Sequence, residues 1–106
     1  MPTPKPTKRG PKQPARNAVD DTLALRGAVY GHFEDHAQIS QDLKRVIAEG
    51  LKARDKTLLD NEQEALDMIC HKIARIINGD STVVDTWHDI AGYAELIAKF
   101  HAGESI

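Results

Sequence analysis

The chain is 106 residues long, 41% hydrophobic and 28% charged, with a formal net charge of −2, which fits one small domain. Its apolar runs are only a few residues long, which excludes a membrane-spanning helix. Its single cysteine, Cys70, excludes an internal disulfide and a zinc site built on cysteine pairs.

The charge is unevenly distributed. Residues 1–16 contain Lys5, Lys8, Arg9, Lys12, Arg16 and all five prolines, but no acid. The remaining residues carry about −7, so a basic arm precedes an acidic body. The arm lacks apolar periodicity and a secretory apolar core. It reads as a disordered Pro/Lys-rich tail, a solubilising leader that can also make weak, salt-sensitive contact with nucleic acid. The expected location is cytoplasmic.

Residues 17–106 read as an all-α domain. The first helix spans about Asn17 to Tyr30, capped by Asn17 and ended by Gly31, with Val19, Leu23 and Ala28 forming a narrow apolar stripe. The second starts at Asp35 with Gln38 as its capping-box partner and turns Ile39, Leu43, Val46, Ile47 and Leu51 inward. A polar connection over 54–59 leads to a third helix, capped by Asp60 with Gln63. Its broad apolar face (Leu66, Ile69, Cys70, Ile73, Ile76, Ile77) marks it as the central helix, with Cys70 as a small core residue. Gly79 ends it. Thr82 and Asp85 open the fourth, which turns Val84, Trp87, Ile90, Ala91, Ala94, Ile97 and Phe100 inward and closes at Gly103. No segment alternates with period two. The fold class is therefore a small antiparallel helical bundle of about four helices, and its size favours a homo-oligomer.

The third and fourth helices share a charged constellation. Glu64, Asp67, His71, Arg75 and Asn78 recur at steps of three and four, with Lys72 beside them, and Asp85, His88 and Asp89 face them across the turn. The turn should bring Arg75 to Asp85, and Asp89 level with His71 or Lys72. Gly92, unfavourable mid-helix, suggests a close approach there. These groups form either a salt-bridge lattice or a cationic hollow for a phosphorylated ligand, with Arg75 as bidentate clamp and the carboxylates orienting the cations. A metal site from Asp85, His88 and Asp89 has no signature to support it, and no cofactor is expected. The element R-G-A-V-Y-G-H-F (Arg26 to Phe33) places Arg26, Tyr30 and Phe33 near a helix end. There Arg26 could lie on Asp85 or Asp89, and the rings could cover the end of the bundle or stack a base.

The sequence K-I-A-R-I-I-N-G-D, followed by D-T-W-H-D-I-A-G-Y-A, resembles small phage and prophage domains of unknown function. These are similar to nucleotide-modification-associated helical domains, with the pattern K-x-x-R, a spacer, then D-x-x-x-D-x-x-G-Y. The Arg26–Phe33 element also matches, so the likeness covers about Leu25 to Leu96. It implies a nucleotide or nucleotide-like ligand in phage nucleotide metabolism or counter-defence, in the host cytoplasm. The candidate ligand-binding set is Arg26, Tyr30, His71, Lys72, Arg75, Asp85, His88, Asp89 and Tyr93, holding the ligand non-catalytically or with weak activity. A more distant similarity is to MazG-like nucleoside triphosphate pyrophosphohydrolases, all-α oligomers that hold magnesium through E-x-x-E and E-x-x-D. Asp89 matches the final Asp, but Thr86 stands where the glutamate would be, and Lys72 and Arg75 replace the E-x-x-E pair. A pyrophosphohydrolase using Asp89, Asp85, Glu64 and Asp67 is the alternative. A second is an acidic interaction module that blocks a host protein.

Overall fold

The computed structural model describes residues 17–105; the basic arm and its expected nucleic-acid contact lie outside the described residues. Four α-helices follow one another: α1 (Ala18–Tyr30), α2 (Phe33–Ala53), α3 (Asp60–Asn78) and α4 (Val84–His101). The described residues contain no strand, as the absence of period-two patterning predicts. The helices α2 and α3 run antiparallel: Asn78 at the end of α3 bonds the His32 carbonyl just before α2, and His71, earlier on α3, meets His36, further along α2. The helices α3 and α4 also run antiparallel, with Lys72 bonded to Asp89 and Glu62 to His101.

The central position of α3 follows from its two buried lines. Ala65 lies on one, and Cys70 and Ala74 on the other; all three are buried. Each line receives one neighbour, while α2 and α4 do not touch across α3. The architecture is thus an open layer, α2–α3–α4, with α1 packed at the end where α2 begins and α3 finishes. Cys70 is a core residue, as its type suggests, and small side chains at these lines let the neighbouring backbones approach.

Helix ends match the sequence reading better than helix starts do. Asn17 caps α1 by accepting the Asp20 N–H, and Gly31 ends it at φ 82°, a left-handed backbone that glycine adopts without penalty. The start of α2 lies two residues ahead of the expected Asp35, at Phe33, and its cap residue, His32, makes no side-chain cap bond. The N–H of Leu59, not Asp60, is bonded by the carboxylate of Glu62, and Gln63 instead donates to Asp67. Thr82 donates to Asp80 and leaves Val83 to precede α4, which displaces the expected Thr82–Asp85 cap. In the last two cases a second polar group within reach takes the place of the expected partner.

The inward faces also need correction. On α4 the buried line passes through Thr86, with Ile90, Tyr93 and Ile97 half-buried along it, and Val84, Trp87 and Phe100 are exposed. The side chains of α1 bury no residue fully, and Ile77 and Val46 are exposed on α3 and α2. Gly92 has open space around it, so no close approach explains it.

One tight junction fixes α1 against α3. The Asn78 amide donates to the carbonyls of Tyr30 at 2.9 Å and His32 at 3.0 Å, and the Asp80 N–H donates to Val29 O at 2.8 Å. A Cβ on Gly79 would collide with the backbone of Val29 and Tyr30. Gly79→Ala should therefore destabilise the fold by about 1–3 kcal/mol through overpacking. Gly92→Ala, mid-helix in open space, should instead stabilise it by about 0.5–1 kcal/mol. Urea unfolding of both variants checks the pair, and equal signs would contradict the packing described.

Candidate functional site

The junction creates a cavity of about 450 Å³ at the corner between α1, the α1–α2 turn and the end of α3. Helical spacing explains its lining. Arg26 and Tyr30 are one turn apart on α1, His71 and Arg75 one turn apart on α3, and His32, Phe33 and His36 come from the start of α2. Leu23 and the two glycines of the corner, Gly27 and Gly31, complete the wall.

Arg75 defines one side. Its guanidinium lies 4.3 Å from the centre of the Tyr30 ring, an attraction between the cation and the ring's negative face. The expected pairing with Asp85 does not form: no ion pair joins them among the described residues, nor does one join Arg26 to Asp85 or Asp89. Lys72 is bonded to Asp89 at 2.8 Å, which fulfils the expected level match but takes both groups away from the cavity. This contact, with Arg75 and His88 nearby, holds the Asp89 carboxyl below its ordinary range. Asp85, His88, Asp89 and Tyr93 belong to α4 and do not line the cavity. The hollow therefore lies between α1, α2 and α3, not between α3 and α4. Arg75 rests on Tyr30 of α1 instead of pairing with Asp85.

A histidine pair forms the floor. His36 Nε2 and His71 Nδ1 are 3.2 Å apart, with the rings edge to face at 4.5 Å between centres. One nitrogen carries the shared proton. Burial lowers the His36 pKa, helped by the charges of Arg75 and Lys44. Burial first, then His36, Arg75, Lys72 and Lys44, pushes His71 down to about 4. Both rings are thus neutral near pH 7. The second nitrogen of His36, Nδ1, is buried without a hydrogen-bond partner. Phe33 stacks on His36 at 5.9 Å yet leaves most of its surface in solvent, so it does not cover the end of the layer as expected.

His36 was hidden from pattern reading because it is a polar residue on an inward line. His36, Ser40, Leu43, Ile47 and Leu51 recur at helical spacing, and the first two are fully buried. The signal that could have found it is the i, i+4 pair of His32 and His36 just after the Tyr30–Gly31 corner.

Among the described residues no three of His, Cys, Asp or Glu come together to hold a metal ion. The Asp85–Asp89 end of α4 and the Glu64–Asp67 end of α3 do not converge, so they do not fit a magnesium centre. What the cavity offers is two arginines, two aromatic rings and neutral imidazoles, with no carboxylate lining it.

The histidine pair links stability to acid. An unfolded histidine takes its proton near pH 6.5, while folded His71 resists it down to about 4. Between those values the unfolded state binds more protons, so stability is full above pH 6.5 and falls as the pH drops towards 4. The melting temperature should therefore decline over that window, and less steeply in His71→Gln. Parallel profiles for the two proteins would contradict the neutral pair.

No curated protein and no solved structure matches the chain. Residues 15–101 match the domain of unknown function DUF6378, a span that includes all four helices and every residue lining the cavity. The chain belongs to the DUF6378 family.

Proposed function

We propose that the chain binds a nucleotide or nucleotide-like phosphate in the α1–α2–α3 cavity without catalysing its conversion. The observation that carries this reading is the pair of arginines lining the cavity. Arg75 rests on Tyr30, and neither Arg75 nor Arg26 is joined to a carboxylate among the described residues. In a body with seven more acids than bases, a cavity lined by arginine and free of acid selects anions.

A phosphate suits the guanidinium fork, which can donate two parallel hydrogen bonds to its oxygens. Arg75 would keep its contact with the Tyr30 ring while its edge turns to the anion, and Arg26, a turn from Tyr30 on α1, would close on the other side. The exposed face of Phe33 gives a base a surface to stack on, worth about 1–3 kcal/mol per base in comparable sites. His71 and His36 supply neutral hydrogen-bonding nitrogens at the floor. Lys72, Asp85, His88, Asp89 and Tyr93 serve the α3–α4 packing and its margin instead of the ligand. Phage nucleotide metabolism or counter-defence in the host cytoplasm is the setting that the sequence resemblance adds. Among the described residues no helix is long and apolar enough to cross a membrane.

A thermal-shift screen of mono-, di- and triphosphate nucleotides, cyclic ones included, tests the reading. At least one should raise the melting temperature by several degrees, since a ligand at about 100 times its Kd adds about 2.7 kcal/mol. Arg75→Ala should abolish the shift, whereas Lys72→Ala should retain it. No shift across the screen, or a shift that survives Arg75→Ala, defeats the proposal.

A further inference from the structure

The α2–α3–α4 layer has two faces of different chemistry. At about 100° per residue, α3 meets α4 along Ala65 and Lys72, and α2 along Cys70 and Ala74. Leu66, Ile73 and Ile77 lie between those lines on one side, with His71 and Arg75 on the other. On α4 a second apolar line, Val84, Trp87, Ala91, Ala94 and Ala98, runs beside the buried one, on the side away from Asp89. Val46 of α2 lies on the same face. Four of its large members are open to solvent in the single chain, Ile77 at 60% exposed, Val84 67%, Trp87 52% and Val46 67%, while Leu66 and Ile73 are half-buried. Along α3 and α4 the charged or ionisable residues on this surface are Glu62 and His101, at one end of it and bonded to each other.

The single chain does not close this face. The flanking helices α2 and α4 stay apart, and α1 sits on the opposite side, where Tyr30 meets Arg75. We propose that a second copy of this chain packs on it, layer against layer. Within one chain the buried apolar residues are Ala65, Cys70 and Ala74, and no large side chain is fully buried among the described residues. That burial is too small to offset the entropy of ordering four helices. The partner that completes the core must therefore be present whenever the chain is folded, and another copy meets that condition.

The surface also matches itself. Trp87 and Ile77 are projections, and Ala91, Ala94 and Ala98 are recesses, so a twofold pairing sets large against small. Three helices about 27 Å long and about 9 Å apart present on the order of 700–800 Å². That is the area a stable pair buries per partner, about 800 Å². The two cavities then lie on the outer surfaces of the pair, because His71 and Arg75 occupy the opposite side of α3.

Sedimentation equilibrium of the full chain, together with emission of Trp87, its single tryptophan, tests the pairing. The expected result is a two-chain mass with blue-shifted emission shielded from acrylamide, both lost together on dilution. Ala94→Asp should remove the two-chain mass, while Leu25→Asp, on α1, should keep it. A folded one-chain mass at every concentration would overturn the proposal, as would a two-chain mass with freely quenched Trp87. So would an Ala94→Asp protein that still pairs. Should that variant fail to fold, the wild-type dilution series decides: mass and emission changing together support the pairing, and mass changing alone overturns it.

Discussion

The end of α3 holds the end of α1, and the rest of the site depends on that grip. Asn78 spends both amide hydrogens on two carbonyls of the α1–α2 corner, and the next residue, Gly79, has no side chain because the backbone of Val29 and Tyr30 occupies the space one would need. The helix α1 buries too little surface to be placed by packing alone. Directional hydrogen bonds therefore set its position, and with it the place of Tyr30 under Arg75 and of Arg26 at the cavity mouth. Each net hydrogen bond of this kind contributes about 0.5–1.5 kcal/mol, but their geometric effect is larger than their energy.

The charged side chains divide into two sets by competition for partners. Lys72 reaches Asp89 and is neutralised there. Arg75, one turn on, has Tyr30 within reach and turns away from α4. A face that reads as one continuous band of charge thus separates into a neutral pair at the α3–α4 contact and an unneutralised arginine at the α1 corner. His36 and His71 lie beside that arginine, kept neutral by burial and by the positive charges around them. Two neutral imidazoles next to arginines leave the positive charge of the cavity on the guanidinium groups.

Periodicity made the four helices, the central role of α3 and the buried Cys70 legible in the sequence. Gly31 and Gly79 were legible as stops because few other residues fit there. The inward face of α4 was not: Val84, Trp87, Ala91 and Ala94 recur at helical spacing as convincingly as Thr86, Ile90, Tyr93 and Ile97, and the chain buries the second line. An amphipathic pattern reports that a face prefers cover, without saying which neighbour supplies it. His36 and Ser40 escaped notice for the opposite reason, being polar residues at buried positions. Of the candidate ligand residues, Arg26, Tyr30, His71 and Arg75 meet at one cavity, while Lys72, Asp85, His88, Asp89 and Tyr93 do not line it. Sequence spacing can align residues along one helix, but it cannot rank partners offered by different helices.

The central claim is that anions enter at the α1–α2–α3 corner. Its most direct test is nuclear magnetic resonance titration of the isotope-labelled full chain with the nucleotide of greatest thermal shift, or with inorganic phosphate. The account predicts saturable shifts of the Arg75 Nε–H, the Asn78 side-chain amide, Gly31 and the His36 and His71 rings, with Asp85, His88 and Tyr93 unmoved. Shifts centred on the α3–α4 turn and absent from Arg75 and the histidine pair would contradict it.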